Sequence, residues 1–302
     1  MNAIRRAISM FASGLLATSL SVPCRAIDYQ PFDWVPLPPR TSVAMLYYQF
    51  ATRSELDNTI SGRISADTRL DSHLGIARYL YYQEALGVPY VLDVLLPFGT
   101  LRNGKIGGVD LGHASGLGDP TLSLGFWMVN QPQAKRYASA VSFLTVPLGS
   151  YDEGRSLNIG SHRFQHDLQA DFTQGIWGRL TLDLSADWIW YGPNDRAGSG
   201  RQRLRQDSSF GTYAWLSMDT TSLWLSPLPS AISVGYAGIY GGKQRLEGVE
   251  TGAETGEQQL RVSYAQFVTR SLQALLSLSR DVSVRGQFKQ DFGLLARMAA
   301  IF

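Results

Sequence analysis

Charged and apolar side chains alternate along residues 163–191 of this 302-residue chain. Arg163, Asp167 and Asp171 share one parity of this stretch, and Asp187 continues that parity after a break. The other parity is mostly apolar and ends in two tryptophans. Charges of both signs along one wall can select the solutes that pass a pore, or they can pair and rigidify the wall. The sequence leaves both interpretations open.

Charges in similar positions recur in other alternating segments, which predicts a charged lumen. The selectivity candidates are Arg69, Asp71, His73, Asp93, Arg163, Asp167, Asp171, Arg179, Asp183, Asp187, Arg261, Asp281, Asp291 and Arg297. Unpaired charges are costly inside a narrow lumen, so these groups must pair, hydrate or do both. We predict no catalytic residue, metal or other cofactor.

A serine and several histidines lie near the predicted outer rim, which raises the alternative of a lipid-modifying enzyme. They are His113, Ser161, His162 and His166. Such an enzyme would place a serine nucleophile beside a histidine base. Adjacent strand residues face opposite ways, so Ser161 and His162 could not form that pair within a strand. A closed structural or receptor barrel is the remaining alternative.

The first 26 residues have the pattern of a secretory signal peptide. Two arginines precede an uncharged run over residues 7–22, and a small-x-small ending predicts cleavage after Ala26. The only cysteine, Cys24, would leave with the signal, so the exported chain could form no disulfide. Removing three arginines from the 27 basic residues leaves 24 against 25 acidic ones. This balance gives no electrostatic case for nucleic acid as a partner.

Residues 27–40 form a proline-rich tail before the first alternating segment. Proline cannot donate a hydrogen bond to a sheet, so the tail is not predicted to be a strand. The favoured interpretation is a disordered lead-in. The alternative is that Phe32 and Trp34 enter the barrel mouth as a small plug.

Alternating segments of about ten to fifteen residues follow over residues 41–302, and each is long enough to cross a bilayer as a tilted strand, which takes roughly 9–11 residues. They span residues 41–52, 69–80, 88–98, 119–129, 137–148, 163–173, 179–191, 207–218, 231–240, 257–268, 271–281 and 290–302. No run after the signal has the roughly 20 apolar residues of a transmembrane helix. The sequence predicts an all-β fold, a transmembrane antiparallel up-and-down β-barrel of about twelve strands.

The connections between these segments alternate in length. Long polar ones, predicted to be extracellular loops, cover residues 53–68, 99–118, 149–162, 192–206, 241–256 and 282–289. The others are mostly short and are predicted to be periplasmic turns, which places the protein in the outer membrane of a Gram-negative cell. The expected partners are outer-membrane lipids, lipopolysaccharide and a small-molecule solute. Phosphates of lipopolysaccharide could bind the arginine cluster Arg196, Arg201, Arg203 and Arg205.

The last segment fits the closing strand of a bacterial barrel. Phe302 shares one face with Met298 and Phe292, whereas Arg297 shares the other. We expect Phe302, Trp188 and Trp190 to belong to aromatic girdles at the membrane surfaces. The strand that ends at Phe302 is the predicted contact with the barrel-assembly machinery, and we expect a monomer.

Several short motifs resemble one known family. The motifs are Gly116-Leu117-Gly118-Asp119-Pro120, Pro147-Leu148-Gly149-Ser150-Tyr151, Asn158-Ile159-Gly160, and Asn194 after an aromatic strand end. They are similar to those of the phenol meta-pathway degradation family of bacterial outer-membrane β-barrels. The resemblance covers most of residues 41–302. It implies a twelve-stranded barrel that passes or senses small, often hydrophobic compounds, and it supplies no catalytic residues.

Overall fold

The computed structural model describes residues 20–21, 29–223 and 227–302. The predicted signal peptide falls almost wholly outside these residues, as do residues 27 and 28 of the tail. Within the described residues, no helix has the length and apolar character needed to cross a membrane.

Twelve long antiparallel strands form one sheet in the described part of the chain. They are β1 (Ser42–Asn58), β2 (Arg69–Ala85), β3 (Val88–Ile106), β4 (Thr121–Gln131), β5 (Arg136–Thr145), β6 (Gln165–Trp177), β7 (Leu180–Tyr191), β8 (Ser209–Asp219), β9 (Ser230–Gly241), β10 (Gly256–Phe267), β11 (Leu272–Arg285) and β12 (Phe288–Ile301). Each strand pairs with its sequence neighbours. β12 also pairs with β1, from Val43 opposite Ile301 to Leu56 opposite Phe288. The twelve long strands therefore close into a barrel.

Several strands extend beyond their predicted ends at the extracellular side. β1 continues to Asn58 and β3 to Ile106, because alternation persists into segments that are too polar to indicate a membrane crossing. The predicted long loop over residues 282–289 is wrong. Its place is taken by a two-residue turn between β11 and β12, in which Gly286 has a φ of 71°. The turn predicted at residues 174–178 is also shorter, since β6 runs to Trp177.

Short strands extend the barrel on its extracellular side. Gly62–Ile64 pairs with β1, and Val109–Leu117 pairs with β3 to form a hairpin that rises above the barrel. A separate four-stranded sheet consists of Asn194–Ala197, Gln202–Gln206, Gln244–Leu246 and Val249–Glu250. This sheet joins the loop after β7 to the loop after β9. A two-residue parallel pair joins Leu20–Ser21 to Leu157–Asn158.

Alternation along the strands divides the barrel wall into an outer and an inner face. On β6 and β7, Leu168 and Trp188 are exposed, whereas Asp167 and Asp187 are buried. A register slip of one residue would bring such charges into lipid, which costs roughly 2–4 kcal/mol for a basic residue at the midplane. The register is fixed by this difference between the two faces.

β2 has the opposite polarity from the one predicted. Leu70, Leu74 and Ile76 are buried on its inner face, and His73 lies on its outer face. The inner face is apolar because it belongs to buried clusters inside the barrel. One such cluster joins Ile76 to Tyr47 of β1.

Candidate functional site: a filled lower lumen and an open upper chamber

Residues 29–37 of the tail lie inside the barrel, in the half nearer the chain termini. Tyr29 and Trp34 are only 2% and 3% exposed, and both belong to a buried cluster with inward-facing aromatic residues of the wall. The ring centroid of Trp34 lies 6.2 Å from that of Trp127 and 6.0 Å from that of Phe143. The favoured interpretation of a disordered lead-in is therefore wrong over these residues. The tail buries aromatic area that water would otherwise contact.

Hydrogen bonds from the wall hold the tail backbone. The indole N–H of Trp127 donates to the carbonyl of Trp34 at 2.8 Å, and that of Trp215 donates to the carbonyl of Tyr29 at 3.2 Å. Since residues 29–37 have no strand partner, these contacts satisfy backbone groups that would otherwise be unpaired in a buried site.

A buried ion pair also holds the tail. Nη1 of Arg297 lies 2.6 Å from Oδ1 of Asp33, with side chains that are 5% and 8% exposed. Arg297 also lies over the ring of Tyr47, at 5.8 Å from its centroid. Removing one partner of such a pair leaves a buried charge uncompensated, which costs about 3–5 kcal/mol.

A second buried ion pair lies within the wall. Arg78 of β2 donates to both carboxylate oxygens of Asp93 on β3, and its Nη2 is 2.8 Å from Oδ2. Ser123 donates a further hydrogen bond to Asp93. The carboxylate of Asp93 therefore has its hydrogen-bond partners within the barrel wall, in Arg78 and Ser123.

Four aspartates form an acidic wall on the inner face of β6 and β7. Its members are Asp167, Asp171, Asp183 and Asp187. Thr173 donates to Asp183 at 2.6 Å and Ser139 donates to Asp171 at 3.1 Å. One carboxylate oxygen each of Asp167, Asp171 and Asp183 nevertheless has no hydrogen-bond partner among the described residues.

Above the tail is a chamber of about 270 Å³. Its floor lies at Tyr213 and Arg261, which also contact Tyr29: the two tyrosine ring centroids are 5.9 Å apart, and Nη1 of Arg261 is 3.4 Å from the Tyr29 carbonyl. Part of the lining is apolar and includes Leu74, Ile159 and Phe288. The remainder is polar and charged. A chamber with both linings can contact the apolar body and the polar group of one small molecule.

The short family-like motifs meet at the rim of this chamber. Oδ1 of Asp119 accepts the backbone N–H of Gly149 at 2.8 Å, and Oδ2 accepts the backbone N–H and the hydroxyl of Ser161, each at 2.7 Å. Asn194 donates to the carbonyl of Ser161 and to the hydroxyl of Tyr151. We name these five residues the rim knot. It fixes the loop that carries Arg163.

Arg163 lies directly after the rim knot and lines the chamber. Its side chain lies over Tyr191, with Cζ 4.8 Å from the ring centroid. Burial lowers the pKa of its guanidinium below the ordinary value, and the nearby Tyr191 and Asp119 oppose that shift. Nε and Nη1 have no hydrogen-bond partner among the described residues.

The structure places nine of the fourteen predicted lumen residues inside the barrel or at its chamber, and five elsewhere. Those inside the barrel or at its chamber are Asp93, Arg163, Asp167, Asp171, Asp183, Asp187, Arg261, Asp281 and Arg297. Arg69, Asp71 and His73 lie on the outer face of β2, so the prediction that they line the lumen is wrong. There, Asp71 accepts hydrogen bonds from Arg69 and Asn103.

Arg179 and Asp291 also lie outside the lumen. Arg179 is exposed at the periplasmic end, and its Nη1 donates to the carbonyl of Thr221 at 2.9 Å. Asp291 lies beside a β-bulge and accepts the hydroxyl of Ser54 in an exposed hydrogen bond. The bulge adds a residue, and this reverses the faces that simple alternation predicts.

The proposed plug and girdle residues have clear positions. Trp34 is buried in the tail, while Phe32 is half-buried with a φ of 64°. Trp188 and Trp190 are exposed on the outer face near the extracellular end of β7. Phe302 is exposed at the other end of the barrel, and its backbone exchanges two hydrogen bonds with Ser42.

The candidate enzyme residues are separated. Ser161 belongs to the rim knot, and the ring of His162 stacks on Tyr151 with centroids 5.0 Å apart. His113 is exposed on the raised hairpin. The serine that His166 meets is a different one, Ser142 of β5, at 2.9 Å between Oγ and Nε2.

Two of the four arginines in the loop after β7 form ion pairs. Arg201 lies 2.8 Å from Glu153, and Arg203 lies 3.0 Å from Asp195. Of the acidic residues in the loop after β9, Glu247 accepts the backbone N–H of Arg203, while Glu250 and Glu254 pair with Arg245 and Arg285.

Sequence reasoning missed several residues of the site. No pattern in the tail singles out Asp33, and the alternation predicted for β2 places Arg78 on the outer face. Inward aromatic residues such as Trp127 and Trp215 resemble lipid-facing ones in sequence. A charged residue in the proline-rich tail was the one available signal, since Arg297 needed a partner of opposite charge.

Closed strand pairing, an apolar outer face and a charged interior define an outer-membrane β-barrel. The family model described as "Putative MetA-pathway of phenol degradation" matches residues 53–296. The chain belongs to this family, which confirms the resemblance found in its motifs. No curated protein matches the chain.

Solved structures agree with this assignment. An outer membrane channel from Pseudomonas putida F1 is 28% identical, with a TM-score of 0.83 over 91% of this chain and 100% of that chain. The translocator domain of the autotransporter NalP from Neisseria meningitidis is 11% identical, with a TM-score of 0.52 over 100% of this chain and 97% of that chain. The β domain of the Bordetella autotransporter BrkA is 8% identical, with a TM-score of 0.50 over 88% of this chain and 100% of that chain. The two autotransporter domains share the fold alone.

Proposed function

We propose that this barrel is an outer-membrane channel or uptake protein for small hydrophobic or aromatic organic compounds, and that its tail closes the periplasmic half of the lumen. The chamber above the tail carries the proposal, because apolar and charged residues line the same volume. The similar P. putida protein is an outer membrane channel, and the family description refers to phenol degradation. A single aromatic ring suits the chamber by size, since a dry cavity of about 150 Å³ holds benzene.

The tail is the proposed plug, with Trp34 as its main anchor and Phe32 as a secondary contact. A solute that crosses the barrel must pass this segment, because the tail fills the lumen between β2, β4, β5 and β8. Opening therefore requires the tail to shift or to leave. The barrel wall need not change, since its strand pairing is independent of the tail.

The contact between the tail and the wall is imperfect, which favours a movable plug. The hydroxyl of Tyr29 and the side-chain carbonyl of Gln30 are buried without a partner among the described residues. The facing Asp171 and Asp183 each have one such oxygen. A buried polar atom without a partner costs about 1–3 kcal/mol, so hydration on opening offsets part of the lost packing.

The inward charges are the proposed selectivity residues of the open state. The interior carries the acidic wall on β6 and β7 together with Arg261 of β10 and Arg297 of β12. Rings of fixed charge favour solutes with complementary groups. When the tail is in place, Asp33 of the tail pairs with Arg297. The same inward charges therefore hold the closed state and select solutes in the open state.

Conductance and solute entry test this proposal directly. The exported protein would be compared in planar bilayers and in liposome swelling with a variant that lacks residues 29–37. We expect brief, small openings for the complete chain and steady, larger ones for the shortened chain, with faster entry of phenol. Heat-dependent mobility on gels checks that both barrels are folded. Folded preparations without openings or solute entry would contradict the channel.

A second candidate, a lipid-modifying enzyme, is favoured by the pair formed by Ser142 and His166. Both residues face outward near the extracellular rim, as a hydroxyl nucleophile for phospholipid would. Against this, no group among the described residues hydrogen-bonds Nδ1 of His166 to orient it. The simpler explanation is that two polar side chains at the lipid-facing surface form a hydrogen bond with each other. Phospholipid turnover that is lost in Ser142→Ala and in His166→Ala would establish the enzyme, whereas the channel proposal expects no turnover in the wild type.

We also propose a monomer that the barrel-assembly machinery recognises through β12 and Phe302. The seam between β1 and β12 is paired along its length, which leaves no strand edge for a second copy. Lipid contacts the apolar outer face, and lipopolysaccharide phosphates would compete with the acidic partners of Arg201 and Arg203. Light scattering of the purified protein in detergent tests the monomer.

A further inference from the structure

Among the inward-facing arginines, Arg163 has an unusual environment. Its side chain is only 6% exposed, yet Nε and Nη1 have no acceptor among the described residues. Arg78 and Arg297, at similar burial, each bind a carboxylate. Burying a charged group costs several kcal/mol unless it is paired and hydrogen-bonded. A buried guanidinium that lines a chamber and has two nitrogens without an acceptor is therefore a candidate contact for a ligand.

The neighbours of Arg163 hold it in place without satisfying it. The guanidinium lies against Tyr191, whose hydroxyl lies 3.1 Å from the hydroxyl of Ser209. The nearby carboxylate, Asp119, already accepts three hydrogen bonds inside the rim knot. The side chain is thus oriented before any ligand arrives, and a preorganised donor loses little entropy on binding.

The chamber offers a complementary apolar surface. Ile159 precedes Arg163 by four residues on the same loop, and both line the chamber. Phe288 and Leu74 extend the apolar lining, and both are buried in the same cluster as Ile159. A ligand that contacts both regions needs a flat apolar body with an acceptor oxygen at one end.

We propose that Arg163 binds the acceptor oxygen of a single-ring aromatic solute, a carboxylate or a phenolic hydroxyl, while the ring packs on the apolar lining of the chamber. This inference rests on the proposed function and gives the chamber a solute class. A carboxylate binds more tightly than a hydroxyl, because its hydrogen bonds to arginine are charge-assisted.

Equilibrium binding to the full exported protein in detergent tests the proposal, with benzoate, phenol and toluene as probes. Toluene is the matched probe without an acceptor oxygen. We expect the affinities to fall in the order benzoate, phenol, toluene. Arg163→Met, which keeps a long apolar stem, should weaken benzoate binding about 10- to 100-fold and leave toluene binding within about twofold. Arg102→Met, on the exposed part of β3, is the control and should change neither.

Each other outcome contradicts the proposal. Equal affinities for benzoate and toluene in the wild type would mean that the oxygen is not recognised and that Arg163 is only hydrated, and this comparison decides even if Arg163→Met fails to fold. Unchanged benzoate binding in a folded Arg163→Met would place the contact elsewhere. Conductance measured on the same preparations separates the proposed channel function from the proposed binding site. Steady openings without benzoate binding would support the channel function and contradict the binding site.

Discussion

The two halves of the lumen satisfy their charges in different ways. In the lower half, Arg297 and Asp33 join the wall to the tail, and indole N–H groups hold the tail backbone. In the upper half, Arg163 is positioned by its neighbours but has two free nitrogen donors among the described residues. The strands that surround both halves follow the same alternation. The difference between the two halves arises from residues 29–37 of the tail, which fill the lower half only. The residues that line the lumen and the residues that fill it therefore come from different parts of the chain.

If the buried ion pairs maintain the lower half, Arg78→Met should be the most destabilising change. It leaves Asp93 buried without its main partner, and we expect the free energy of unfolding in urea to fall by about 3–5 kcal/mol. The double variant Arg78→Met with Asp93→Asn should recover much of this loss. A decrease below about 1 kcal/mol in the single variant would mean that Asp93 is hydrated and that the comparison of the two halves is wrong.

Trp34→Ala tests the tail itself. The substitution removes the ring that packs on Trp127 and Phe143, and we expect a loss of about 3 kcal/mol, at the low end for a buried tryptophan because the tail can leave the site. Single-channel recordings should show longer openings. Phe32→Ala is the matched control, since Phe32 is half-buried and should have a smaller effect on both measurements. Equal effects of the two substitutions would remove the special role of Trp34.

Asp119→Asn tests the upper half. The amide can accept fewer of the three hydrogen bonds that converge on Asp119, so we expect the rim knot to lose about 1–3 kcal/mol of local stability. Limited proteolysis of the loop over residues 146–164 should become faster, while the barrel remains folded. Asp110→Asn, an exposed carboxylate on the raised hairpin, should leave cleavage of that loop unchanged. An unaltered cleavage rate in Asp119→Asn would show that other contacts hold Arg163.

The smallest effect is expected outside the lumen. Arg203→Gln removes an exposed ion pair with Asp195, and such pairs contribute only about 0–1 kcal/mol. Urea unfolding at low and at high salt should give nearly the same value as the wild type in both conditions. A larger loss would indicate that the four-stranded extracellular sheet contributes to closing the chamber.

The sequence predicted most of the barrel because the membrane imposes one rule on every crossing. This rule places apolar side chains toward lipid and charged ones toward the lumen. It predicts the faces of β6, β7 and β12 correctly, since Trp188 is exposed and Arg297 is buried. The rule failed on β2, where Leu74 and Ile76 face inward, since the interior there is packed and apolar. It failed again at Asp291, because a bulge is a property of two paired strands and cannot be derived from one strand.

The site itself was less accessible from the sequence. The tail contains aromatic residues among prolines, and nothing in that composition distinguishes a disordered segment from one that enters a barrel. The pairing of Asp33 with Arg297 joins residues at opposite ends of the chain, so local patterns could not indicate it. The motifs around Asp119 indicated a family, but their convergence beneath one loop depends on the tertiary fold.

The hairpin formed by β3 and Val109–Leu117 has a practical consequence. β3 contains 19 residues, roughly 60 Å of extended chain at about 3.3 Å per residue, whereas the apolar band of such barrels is about 25 Å tall. Its tip, Gly107 and Gly108, has positive φ values of 58° and 83° and stands well beyond the bilayer. An epitope inserted between these two glycines would be displayed to antibodies on living cells and would report the orientation of the barrel in the membrane.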